Sequence, residues 1–105
     1  MYRISVTWHQ RRAEYFHSPA ANTHCPGCGR PVGGRDDVHH LEYPPIPGTE
    51  RDYDLVVLDR ECHEFIHTSL DASPGWRKMG LRAASWGIIQ LLREQHTLTP
   101  QAEIP

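Results

Sequence analysis

Positive charge is not in excess in this chain. Eleven Lys and Arg face thirteen Asp and Glu, a formal net charge of -2 with the histidines neutral. The basic excess of most nucleic-acid binders is lacking, which counts against DNA as a partner without excluding it, since bound divalent cations add positive charge and arginines can be gathered on one face. Long apolar runs are also lacking: no segment approaches the roughly 18 to 20 apolar residues of a membrane span. The N-terminal "MYRISVTWHQRR" has no run of signal-peptide length, so a cytoplasmic protein without membrane attachment is expected. Cysteine is sparse. Three thiols cannot all pair within one chain, which points to reduced cysteines and a metal. With 105 residues, 38% of them hydrophobic, the chain can bury only a modest core, and small domains of this kind usually need a staple.

The organisation expected is one domain over residues 1–105, with a core at about 24–70, a helical extension at about 73–95 and a frayed tail at 96–105. "RISVTW" at 3–8 alternates Ile4, Val6 and Trp8 on one side, which predicts a short strand, followed by a turn or two of helix in "QRRAEYF". "HCPGCGRPVGG" at 24–34 is a Gly- and Pro-rich knuckle. "DDVHHLEY" at 36–43 predicts a strand, "PPIPGTERDY" a loop, and "DLVVL" at 54–58 a second apolar strand. "RECHEFIHTSL" at 60–70 suits a helix with Cys62, Phe65, Ile66 and Leu70 offering apolar contacts. Ser73 is the expected N-cap of a further helix, with Pro74 at its first position. Leu81, Ala84, Ile88, Leu91 and Leu92 recur at helical spacing, and Gly80 and Gly87 are places where that helix would bend or split.

What is abundant is histidine, with eight residues, and the metal-capable side chains fall into two constellations. "CPGC" at Cys25 and Cys28 is half of a tetrahedral site, with a glycine that lets the backbone turn tightly. The remaining cysteine, Cys62, is preceded three residues earlier by Asp59, so a Cys3Asp zinc site of Cys25, Cys28, Asp59 and Cys62 is the leading reading. His24 or His63 in place of Asp59, and no stable zinc at all, are the alternatives. In the second constellation His63 and His67 are four apart and share one face of a helix. Cys62 lies about 100° round the helix from His63, so one helix can serve two metals. Neighbouring residues on a strand point to opposite faces, so in "VHH" one histidine can bind the ion. If that is His39, then His40 is left as an imidazole suited to a general base for water.

The order "CPGC", "VHHLEY", "DLVVLDRECHEFIH" resembles the HNH endonucleases with a zinc knuckle. The resemblance implies a small α+β fold: a ββα-metal core with a CxxC zinc knuckle, here with a C-terminal helical extension. It implies a DNA endonuclease that hydrolyses phosphodiester bonds with one divalent ion, Mg2+, Mn2+, Ni2+ or Zn2+, and a structural Zn2+. By that resemblance His40 is the general base, His39, His63 and His67 hold the catalytic metal, and Asp54 stands at the middle position, usually asparagine. Cys25, Cys28 and Cys62 are knuckle ligands, and Asp59 stands where the family usually has a further cysteine. The implied partner is double-stranded DNA, with Arg30, Arg35 and Arg60 as candidate phosphate contacts, and Arg77, Lys78 and Arg82 as further ones. A protein partner or a second copy of the chain would compensate for the acidic balance. The rival expectation is a non-catalytic zinc-binding HNH-like module that binds a protein or nucleic-acid partner. Its support is the acidic balance, the altered middle position and a C-terminal helix carrying Trp76, Trp86, Ile88 and Ile89.

Overall fold

The computed structural model describes residues 6–98. It is an α+β arrangement of a two-stranded antiparallel sheet and four helices. Helix α1 spans Val6–Phe16, strand β1 Asp37–His40, strand β2 Leu55–Leu58, helix α2 Arg60–Ala72, the short helix α3 Pro74–Lys78 and helix α4 Leu81–Leu98.

The sheet divides the core. His39 pairs with Val56 and His40 with Leu55, and residues opposite each other on an antiparallel pair share a face. On one face Val56 and Leu58 join Cys62, Ile66 and Leu70 of α2, and Ala84, Ile88, Ile89 and Leu92 of α4. On the other, Val38, Leu55 and Val57 join Trp8 and Tyr15 of α1. Both strands are thus covered on both sides, which is why "LVVL" is buried throughout rather than alternating.

The segment at 3–8 is where structure and sequence reading part. Val6, Thr7 and Trp8 are helical, while residues 1–5 lie outside the described residues. An alternation of three apolar residues is too short to outweigh a longer helical pattern: Trp8 and Tyr15, seven apart, both turn inward at 7% and 1% exposure. The Tyr15 hydroxyl then donates to Leu55 O at 3.2 Å, fixing α1 to β2.

Within α2, Cys62, Ile66 and Leu70 face the core as expected, but Phe65 is exposed. The extension is two helices rather than one. Gly80, at φ +89, is the break, since positive φ favours glycine. Gly87 does not split α4; a Cβ there would stand 2.7 Å from the Trp76 ring, so the glycine is the notch into which Trp76 packs. Ser73 precedes α3 without a side-chain cap bond. On α4, Ile89 is buried and Leu91 is exposed, and the helix runs through Leu98, so His96–Leu98 of the tail expected to fray are helical, while residues 99–105 lie outside the described residues. No helix among the described residues is long and apolar enough to cross a membrane.

Candidate metal centres

The knuckle places Cys25 and Cys28 over the start of α2. Gly29 N returns to Cys25 O at 2.8 Å, and Cys25 N to Arg30 O at 2.8 Å. Asp59 is the N-cap of α2, with Oδ1 accepting from Cys62 N at 2.8 Å. Its other oxygen, Oδ2, lies 2.5 Å from Cys28 Sγ. One carboxylate thus closes the helix end, as aspartate is well suited to do, and faces the thiols. One ligand atom from each of Cys25, Cys28, Asp59 and Cys62 lies within 4.8 Å of all the others, close enough to hold an ion such as zinc. His24, by contrast, is exposed beside Thr23.

Without an ion, the surroundings keep Cys28 and Cys62 protonated. Burial, then the neighbouring Asp59, pushes the Cys28 thiol up to about 11. Burial and the neighbouring Cys25 push Cys62 up as well. Burial alone would raise Asp59, but hydrogen bonds from Cys28 and the Cys62 amide hold it below the ordinary carboxylate range. Several acidic groups crowded in little water resist joint ionisation, and a thiophilic divalent ion removes that resistance. Three sulfurs and an oxygen form a donor set that zinc accepts.

One turn further along α2, His63 and His67 meet His39 of β1. Their ligand atoms also lie within 4.8 Å of one another. The His63 and His67 Nε2 atoms are 3.0 Å apart, and the His39 ring centroid lies 5.2 and 5.4 Å from those of His63 and His67. Each of two rings has a polar support behind it, as metal-binding histidines usually do. His63 Nδ1 is 3.0 Å from Asp37 Oδ2, and His39 Nε2 is 2.8 Å from the buried Ser85 Oγ of α4. Burial, with the neighbouring His63 and His67, lowers His39 to about 3, so at neutral pH no proton competes for its lone pair. Burial likewise lowers His67. Three imidazoles suit Ni2+, Co2+, Mn2+ or Zn2+ better than Mg2+.

His40 lies outside that group. The strand turns it to the α1 face, where its ring stacks on Tyr43 at 4.4 Å, touches Trp8 at 4.5 Å, and sets Nε2 2.8 Å from Glu50 Oε2. Burial lowers its pKa, against the opposing pull of Glu50. Asp54 ends a single 3-10 turn, Asp52–Asp54, and its carbonyl accepts from Leu41 N at 2.7 Å, closing the loop between the strands. Its carboxylate lies between Arg82 Nη2 at 2.5 Å and Arg51 Nε at 3.2 Å. Hydrogen bonds from these arginines outweigh burial and hold Asp54 below the usual range. With Arg82 the aspartate forms an ion pair, which an asparagine could not do.

Among the arginines, Arg30 pairs with Glu61 at 2.9 Å and Arg60 reaches Asp37 at 3.5 Å, both on the surface beside the start of α2. Arg35 is exposed. Arg77 donates to Leu70 O and Asp71 O at the end of α2, and Arg82 to Asp54 and Tyr53 O, so both have intramolecular work. Sequence reasoning missed Asp37, Glu50 and Ser85. Asp37 had a signal, since it lies two residues before His39 and so on the same face of β1; Glu50 and Ser85 had none. Comparison with protein-family models, with curated proteins and with solved structures finds no match.

Proposed function

We propose that the chain is a metal-dependent DNA endonuclease of the HNH type, with β1, β2 and α2 as its ββα-metal core and the Cys3Asp group as a structural zinc site. The observation that carries this reading is the convergence of His39 from β1 with His63 and His67 from α2 into one group able to hold an ion, with His40 the next residue along the strand. A divalent ion held there would supply Lewis-acid stabilisation of the charge that develops on a scissile phosphate and its leaving oxygen. His40 takes the proton from the attacking water. Asp54 holds the loop that carries the base, through Leu41 N and Arg82. Arg30, Arg35 and Arg60 contact the phosphates of double-stranded DNA from beside the knuckle, and a second copy or a protein partner adds the charge that the chain lacks.

The test is cleavage of supercoiled plasmid by purified protein, metal-stripped at the histidine site and resupplied with Mg2+, Mn2+, Ni2+ or Zn2+. Ion-dependent nicking that disappears in His40→Ala is expected; nicking at the wild-type rate in that variant would remove His40 from the reaction.

One observation favours a second reading, a zinc-binding HNH-like module that binds a partner without cutting. His40 is 6% exposed and turned to the α1 face, an enclosed setting for a base that must meet water. Ion uptake by the histidine group without cleavage of any DNA, in folded protein, would select this reading.

A further inference from the structure

We propose that Glu50 is a positioning residue for His40: its buried carboxylate fixes the imidazole as the tautomer with hydrogen on Nε2, which puts the lone pair on Nδ1. The proposal rests on the reading of His40 as the general base.

Glu50 stands in the loop between the strands, ten positions after His40, and its side chain is 0% exposed against 7% for that of His40. Oε2 is 2.8 Å from His40 Nε2 and Oε1 accepts from Gly48 N at 3.0 Å. Both oxygens therefore act as acceptors, as those of a carboxylate do, and a group that only accepts requires N–H on the nitrogen it faces. A neutral imidazole has one N–H and one lone pair, so the lone pair falls on Nδ1.

The carboxylate is itself held in place. Gly48 has φ +96, and a Cβ there would lie 2.0 Å from Thr7 Cγ2 of α1, so the loop runs against that helix at a place only glycine allows. Arg11 Nε donates to Glu50 O at 2.7 Å and Arg11 Nη2 to Asp52 Oδ1, tying the same loop to α1 again. The ring is confined by Tyr43, nearly parallel at 14°, and by Trp8, tilted at 44°. When His40 takes a proton, the imidazolium forms against a fixed negative charge in a site with little water, the role that a buried aspartate has in a Ser-His-Asp triad.

Glu50→Gln separates this role from packing, because the amide has nearly the same size. Gly48 N still needs an acceptor, so the amide oxygen stays there and the NH2 turns to His40. Nε2 must then accept, and the ring changes to the Nδ1–H tautomer. The experiment is long-range 1H–15N correlation of the zinc-loaded, 15N-labelled protein, with His40 assigned by comparison with His40→Ala. Alongside it, kcat and KM are measured for a short DNA duplex. The expected result is Nε2–H in the wild type, Nδ1–H in Glu50→Gln, and kcat about 100-fold or more lower at unchanged KM. A wild-type His40 with hydrogen on Nδ1 would overturn the proposal, and needs no variant to fold. So would a Glu50→Gln protein with unchanged tautomer or undiminished kcat. A wild-type protein that cuts no DNA, yet whose tautomer inverts in Glu50→Gln, would instead sink the nuclease reading and uphold the grip of Glu50 on the ring.

Discussion

Helix α2 bears two candidate metal groups one turn apart, and they differ in how they meet solvent. In the cysteine group Cys25, Cys62 and Asp59 are all buried, at 1%, 4% and 7% exposure, and the ligands lie against Leu92 and the rest of the α2–α4 core. In the histidine group His39 is buried, His63 half-buried and His67 exposed. Zinc sites that hold a fold together are closed, with four protein ligands, while sites that act on a substrate keep a position open. With only Cys28 half-buried, the group of four is the more closed, and the three-ligand group opens to one side through His67, the contrast that a structural and a catalytic ion would call for under the proposed reading.

The largest effect is expected at the more closed cysteine group. Cys25→Ser, or removal of zinc with a strong chelator, should cost several kcal/mol and abolish cooperative thermal unfolding, since zinc affinity in such sites is folding free energy. His67→Ala, on the open side, should leave the melting temperature within a few degrees while weakening ion uptake measured by titration calorimetry. Equal losses of stability in the two variants would remove the distinction.

Next in size is His39, which belongs to both descriptions because it is buried yet faces the open group. His39→Ala should cost about 2 to 3 kcal/mol in urea unfolding and eliminate ion binding, the stability loss coming from the void and from the orphaned Ser85 hydroxyl. Ser85→Ala should cost about 1 to 3 kcal/mol, by stranding a buried ring nitrogen, and should weaken ion binding without eliminating it.

A smaller effect is expected with pH. The folded protein holds the Asp54 carboxyl below its ordinary value of 3.8. The stability this confers is therefore complete above that value and is lost as pH falls through the lower, folded one. Urea midpoints measured from pH 5 down to pH 2 should fall more steeply for the wild type than for Asp54→Asn; parallel curves would show that the ion pair with Arg82 carries no such stability. Smallest is Arg30→Ala, an exposed pair with Glu61. Its melting temperature should match that of the wild type, and the salt dependence of DNA binding should fall by about one unit of slope if Arg30 meets a phosphate. An unchanged slope would remove it from the interface.

Much of the candidate site was legible because it is written in local spacing. C-x2-C, D-x2-C and H-x3-H are each within one turn of backbone, and "HH" on a strand must diverge. Asp59 was identified by its frame alone, and its second task as helix cap is equally local. What remained hidden depends on packing between distant segments. Ser85 meets His39 only because α4 lies across α2, and Arg82 meets Asp54 for the same reason. Glu50 sits in a Pro- and Gly-rich loop with no period, so nothing in its neighbourhood marks it. Of the strand expected at 3–8, the described residues 6–8 are helical instead, because they belong to the helix whose inward face carries Trp8 and Tyr15.

The Asp59 cap fixes where α2 begins, and with it the direction of every side chain that follows. Sites along this helix will tolerate exchange of exposed residues such as Glu64 or Thr68, but not a change in count. One residue added between Cys62 and His63 would turn the histidine pair about 100° away from His39 while leaving every ligand type in the chain. For this segment, insertion and deletion are the damaging kinds of variation, and a variant library of α2 should show length held constant where composition drifts.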